Sequence, residues 1–133
     1  MKKMTLSKAK KRAWKAFSLW YRKKNMDEQG YVYCYTCDKR LFYKDADVGH
    51  WIEGHSNAVY INEDYVRIQC KSCNIFHGGR QGDFRDRIRK ELGDLKVDQL
   101  IKEAHRIKKL TIQDYLDLEG KYERLSQMVI KTN

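Results

Sequence analysis

Four cysteines constrain this chain more than anything else in it. They stand as Cys34-Tyr-Thr-Cys37 and Cys70-Lys-Ser-Cys73, with residues 38–69 between the pairs, and the sequence has no others. Each C-x-x-C turn brings two sulfurs toward one point, so the pairs together specify four thiolates about 2.3 Å from a tetrahedral ion. Zinc is the expected occupant, in a structural role. Two disulfides would need an oxidising compartment, whereas the N-terminal run Met1-Lys-Lys-Met-Thr-Leu-Ser-Lys-Ala-Lys-Lys-Arg12 has no apolar segment of the kind a secretory signal carries. The expected location is therefore cytoplasmic. Thioredoxin-like redox chemistry uses a single C-x-x-C beside a βαβ pattern, which this chain does not display. The spacer is longer than a minimal zinc ribbon requires and contains Gly49-His50-Trp51, so chemistry is sought there.

Charge narrows the partner. The chain has 133 residues, with 28 Lys and Arg against 18 Asp and Glu, a formal net charge of +10. Such an imbalance favours a polyanion, with nucleic acid first. An anionic membrane surface comes second, but no apolar anchor or spanning run accompanies the charge, and no membrane partner is expected. At 41% hydrophobic residues the core is modest, and a metal clip would add folding free energy that such a core lacks.

Periodicity arranges the remaining elements around the clip. From Leu6 to about Lys24, the residues Leu6, Ala9, Ala13, Trp14, Phe17, Trp20 and Tyr21 recur at helical steps, with Thr5 or Ser7 available as a cap. Lys8, Lys11, Arg12 and Lys15 fall off that stripe and form a face suited to phosphates. Tyr31–Tyr35 and Arg40–Tyr43 read as a hairpin bent around the first cysteine pair. Ala58–Ile61 and Tyr65–Gln69 read as strands, and Cys73 onward as a short helix, with His50 on a strand and Asn74 and His77 facing it. Gly78–Gly82 reads as a loop that holds Arg80. Helices are predicted over Asp83–Leu92, closed by Gly93, and over Val97–Lys109 and Thr111–Lys131. The first of them carries Arg85, Arg87 and Arg89, a second basic patch for DNA. The expected fold is α+β: an N-terminal basic amphipathic helix (1–30), a small zinc-stapled ββα-metal core (31–82) and a C-terminal helical region (83–133).

Several separated motifs occur in one order: Ala13-Trp-Lys-Ala-Phe-Ser18, the cysteine pairs, Gly49-His50-Trp51, Gly54-His-Ser-Asn-Ala58 and Gln69-Cys-Lys-Ser-Cys-Asn74. Over roughly residues 9–93 they resemble the NinG (Rap) family of phage recombination proteins. The resemblance implies a phage-encoded endonuclease acting in a bacterial host on branched DNA, such as Holliday junctions and D-loops, with a zinc-stapled HNH-like centre. Hydrolysis of a phosphodiester needs a base, a divalent cation and a rigid frame. His50 is the expected base, an imidazole having an ordinary pKa of about 6.5. Asn74 matches the helix position that carries a metal ligand in HNH enzymes, and His77 lies one turn further on. His50, Asn74 and His77 are thus the candidate catalytic set and the candidate ligands of magnesium or manganese.

The sequence departs from the HNH pattern in two places. Gly49 stands where many such nucleases carry Asp, which leaves Asp45, Asp47 or Glu53 to supply a carboxylate. The middle Asn would fall near Tyr65, with Asn62 the nearest substitute. His55 reads as a surface or phosphate-contacting residue and His105 as solvated. Symmetric cutting of a four-way junction would suit a homodimer. The competing functions are a zinc-module DNA-binding protein without catalysis and, third, an RNA-binding protein.

Overall fold

The computed structural model describes residues 3–53, 59–106 and 108–129. Helix α1 (Leu6–Asn25) starts at Thr5, whose hydroxyl accepts the Lys8 N–H at 3.2 Å. Its stripe buries Ala9, Ala13, Ala16, Phe17 and Tyr21, and three cations in its last turn complement the helix dipole. Leu6, at the first position of the helix, stays half exposed.

Strands β1 (Tyr31–Tyr33) and β2 (Arg40–Phe42) form the expected antiparallel hairpin, Val32 opposite Leu41. The second antiparallel pair is β3 (Asp47–His50) with β4 (Val66–Gln69), Asp47 opposite Gln69 and His50 opposite Val66. A strand over Ala58–Ile61 does not form: Val59–Ile61 turn, and Ala58 lies outside the described residues. The reason is local. Val59 is buried, and the Tyr60 carbonyl meets the His50 ring instead of a neighbouring strand. The helix predicted from Cys73 is a single wide π-helical turn, Ser72–Phe76, in which the His77 N–H reaches back to the Ser72 carbonyl at 3.0 Å.

Helix α2 (Gln81–Leu92) ends at Gly93, which adopts φ +86° and donates its N–H to the Arg89 carbonyl at 2.9 Å. That left-handed conformation suits glycine. It lets α3 (Asp94–Ala104) begin at once, earlier than the apolar pattern suggests; α3 also ends earlier, and Ile107 lies outside the described residues. Helix α4 (Ile112–Met128) opens on a capping box in which the Thr111 hydroxyl accepts the Asp114 N–H and the Asp114 carboxylate accepts the Thr111 N–H.

Two cores meet at the β3–β4 pair. In one, α1 lies between the strands and α4, so that Phe17 and Tyr21 pack with Val48, Val66, Ile68 and Tyr122, while Ala9 and Ala13 take the Tyr115 ring. In the other, Trp51 and Tyr65 pack against Phe84 and Ile88 of α2 and Val97 and Leu100 of α3. Buried hydroxyls tie the layers: Tyr21 donates to the Val66 carbonyl at 3.1 Å and Tyr65 to that of Leu100 at 2.9 Å. Val48 thus belongs to one core and Trp51 to the other, which pins the strand end bearing His50 from both sides. Among the described residues no helix is long and apolar enough to cross a membrane.

Candidate functional site

The four cysteines converge as their spacing demands. Their sulfurs lie within 4.8 Å of one another, and Cys37 Sγ is 3.8 Å from Cys70 Sγ. Sulfurs about 2.3 Å from a tetrahedral ion stand about 3.8 Å apart, so the donor set and its spacing fit zinc. None of the four is in a disulfide, and Cys34, Cys70 and Cys73 are buried. Burial opposes ionisation of Cys34, but the Thr36 hydroxyl and the N–H groups of Cys70, Cys37 and Thr36 outweigh it and bring this thiol down to about 6. Burial and the neighbouring sulfurs push Cys37 the other way, to about 12. Four thiolates share so small a space only with a cation between them.

Beside the clip, Trp14, Ser18, Asp47, Val48, His50, Tyr60 and Asn74 line a cleft of about 420 Å³. His50 is clamped in it. Its ring is stacked 5.2 Å from that of Trp14 and 5.6 Å from that of Tyr60, centroid to centroid, and its Nε2 lies 3.0 Å from the Tyr60 carbonyl oxygen. A carbonyl only accepts, so Nε2 carries a proton, and Nδ1 is the nitrogen that bears the lone pair in the neutral form of the ring. The backbone behind the ring is also held: the Gln81 side chain donates to the His50 carbonyl at 3.0 Å and Arg85 to that of Trp51 at 3.4 Å.

Of the three carboxylates left open by the sequence, Asp47 is the one in the cleft. Its Oδ2 accepts from the Asn74 amide at 3.1 Å and its Oδ1 from Lys71 at 2.7 Å. Asp45 and Glu53 are exposed and do not line it. Asp47 and the Asn74 amide oxygen are hard donors of the kind magnesium and manganese take. Gly49 has a steric reason to lack a side chain: a Cβ there would fall 2.1 Å from Gln69 Oε1 and 3.0 Å from Asn74 Oδ1. Gln69, fully buried, donates through Nε2 to the Gly79 carbonyl at 2.9 Å and to Thr36 Oγ1 at 3.1 Å, which braces the cleft against the turn of the first cysteine pair.

His77 is not brought together with His50 and Asn74. It is exposed at the end of the π-helical turn and outside the cleft lining, because the wider turn does not superpose residues three apart as an α-helix does. Tyr65 is a core residue, and Asn62 caps the turn before it by accepting the Asp64 N–H at 2.9 Å. The imidazole is oriented by Tyr60 instead. His55 lies outside the described residues, and His105 is exposed.

The basic candidates divide. Lys8, Lys11 and Lys15 are exposed on α1 and make no ion pair with the described residues. Arg12 is held by Glu119 of α4 at 2.9 Å. Arg80 donates to Cys73 Sγ at 3.1 Å, Arg87 to Asp38 at 2.9 Å, and Arg89 to Asp94 and Asp98 at 3.1 and 3.0 Å. Residues that sequence reasoning placed in the core or a strand prove to line the site: Trp14, and Tyr60, over whose ring Lys10 sits at 4.4 Å. The Lys10-x-x-x-Trp14-x-x-x-Ser18 spacing was the available signal, since residues four apart share one helix face.

Comparison with known proteins gives one family. The family described as Bacteriophage Lambda NinG protein matches residues 1–131. No curated protein and no solved structure matches. The chain belongs to the NinG family.

Proposed function

We propose that this NinG-family chain is a phage recombination endonuclease that cuts branched DNA, Holliday junctions and D-loops, by metal-dependent phosphodiester hydrolysis. The observation that carries this reading is the convergence of His50, Asp47 and Asn74 on one cleft, with the His50 ring held by the Tyr60 carbonyl. With Nε2 committed to that carbonyl, Nδ1 is the nitrogen that takes the proton from an attacking water. Trp14 and Tyr60, whose rings also meet each other at 4.9 Å, pack against the imidazole, so the base is oriented before substrate arrives. Asp47 and Asn74 are the residues that would hold magnesium or manganese; bound there, the cation would draw charge from the phosphate and the leaving oxygen. Asn74 directly follows the zinc ligand Cys73, and the clip thereby anchors the cleft wall. Lys8, Lys11 and Lys15 on α1, the helix that carries Trp14, would grip the flanking phosphates.

The test is incubation of the purified chain with end-labelled four-way junction, D-loop and linear duplex, with magnesium, with manganese and with a chelator. Cation-dependent cutting of the branched substrates is expected. Tight junction binding with no cutting under either metal would instead favour a zinc-module DNA-binding protein that lacks catalysis.

A further inference from the structure

The described residues leave an apolar pair standing beside the cleft: Phe76 is 79% exposed and Ile75 58% exposed, immediately after the cleft residue Asn74. The other large exposed apolar side chains, Leu6, Tyr33, Leu95 and Met128, are scattered singly along the chain, which is ordinary for a protein surface. Leaving a Phe and much of an Ile side chain in water forgoes the free energy their burial would supply. The turn that presents them is not slack. It is anchored at Cys73 in the four-cysteine cluster and closed by the His77 N–H on the Ser72 carbonyl at 3.0 Å, and π-helical turns of this kind occur frequently at functional sites.

Charge selects the occupant. Arg67, Lys71 and Arg80 of the segment 65–82 are engaged by Glu91, Asp47 and Cys73, so the attraction for a polyanion comes from the chain as a whole, whose net charge is +10. A rigid apolar projection on such a background suits a polyanion that also has apolar faces to offer, and nucleic acid, the substrate of the neighbouring cleft in the reading above, combines the two. A continuous duplex shows its base faces only at its ends, whereas the arms of a branch end at one another and expose base-pair faces at the crossing. We propose that Phe76, backed by Ile75, is a wedge that stacks on the base exposed at the branch point and so sets the phosphate at the cleft relative to the branch. This rests on the endonuclease reading above and adds the element that recognises branching. Apolar side chains inserted between base steps are an established way for proteins to unstack DNA.

The experiment compares the wild-type chain with Phe76→Ala and Phe76→Trp on a four-way junction and on a duplex of the same arm sequence. Binding is measured in a chelator of divalent cations too weak to strip zinc, and a 2-aminopurine base is placed at the branch. Phe76→Ala is expected to weaken junction binding by about ten- to a hundredfold, as removal of one stacked base does, and to leave duplex affinity within about twofold. Wild type is expected to lower 2-aminopurine emission by stacking on that base; the change should disappear in Phe76→Ala and return in Phe76→Trp. Zinc content and melting temperature should not move, since the side chain is exposed. Equal affinity of Phe76→Ala and wild type for the junction overturns the proposal, as does an equal loss on junction and duplex. Light scattering that shows Phe76→Ala converting dimers to monomers, with DNA binding per chain unchanged, overturns it in favour of an interface between copies. If the wild type itself neither prefers nor cuts branched DNA, the endonuclease reading has failed, and the wedge with it; if wild type cuts branches and Phe76→Ala cuts them equally well, the wedge alone has failed.

Discussion

The ring of His50 and the backbone carbonyl of Tyr60 lie 3.0 Å apart through Nε2, with the rings of the same two residues stacked at 5.6 Å. One residue therefore sets both the tautomer and the plane of the proposed base. Replacing His50 with Ala removes the imidazole and none of the zinc ligands or the α1 lysines. Zinc content and junction affinity should stay near wild type, while cleavage falls by about 10²- to 10⁴-fold, the usual contribution of a positioned general base. Wild-type cutting by the folded variant would remove His50 from the mechanism.

Gly49 supplies a counterintuitive prediction. Restoring the Asp that many HNH nucleases carry there should harm the protein, because a Cβ would fall 2.1 Å from Gln69 Oε1, part of a buried amide fixed by the Gly79 carbonyl and Thr36. Gly49→Ala should cost about 1–3 kcal/mol, as overpacking does, and Gly49→Asp more, since it also buries a charge. Urea denaturation of both variants checks this; a Gly49→Asp protein as stable as wild type would mean that Gln69 yields easily.

Much of the clip and of α1 is legible in the chain itself. The cysteine spacing specifies four donors, since two short turns leave little freedom in where their sulfurs meet, and the apolar stripe of α1 names its buried face. Asp47 could not be chosen over Asp45 or Glu53 from spacing, because the choice depends on where Asn74 lands across the cleft. Tyr60 was hidden for a different reason: its contribution is a backbone carbonyl, which every residue type has. Trp14 fits the core stripe and the cleft wall equally well at sequence level, being at the border of both faces. α-Helical steps would put His77 on the Asn74 face, whereas the turn there is π-helical.

The clip should be a folding element. Cys37 and Cys70 each contribute one sulfur of the pair 3.8 Å apart, and binding free energy at such a site is folding free energy. One zinc per chain is expected by elemental analysis, and Cys70→Ser should unfold the central module together with the Asn74 wall of the cleft. A Cys70→Ser chain that melts like wild type would count against a structural metal.

Acid should weaken the packing of α2 on β4. Burial works against the Glu91 carboxylate, but the Arg67 guanidinium, joined by the Tyr35 hydroxyl at 3.1 Å, holds its pKa below the ordinary glutamate value. A depressed folded pKa means stability that is present above the unfolded value of about 4.3 and lost as pH falls through the folded one. The pair is partly exposed, so Glu91→Gln should cost at most about 1 kcal/mol at pH 7, and the difference from wild type should shrink toward about pH 3. A difference independent of pH would assign the effect to packing.

Two kinds of cation share α1 and should behave differently. Lys8, Lys11 and Lys15 are exposed without an ion pair to the described residues, whereas Arg12 is engaged by Glu119 at 2.9 Å across the α1–α4 seam. If the lysines track phosphates, changing all three to Gln should weaken DNA binding at low salt. It should also flatten the log–log salt dependence, by about 0.9 for each phosphate of a B-form arm that is no longer neutralised. Arg12→Gln should leave that slope nearly unchanged and cost only a little stability instead, because the pair is exposed. Measuring affinity from low to moderate salt for both variants separates the roles. A slope lowered by Arg12→Gln and untouched by the triple lysine change would move the phosphate-binding face of α1 to the side that packs on α4.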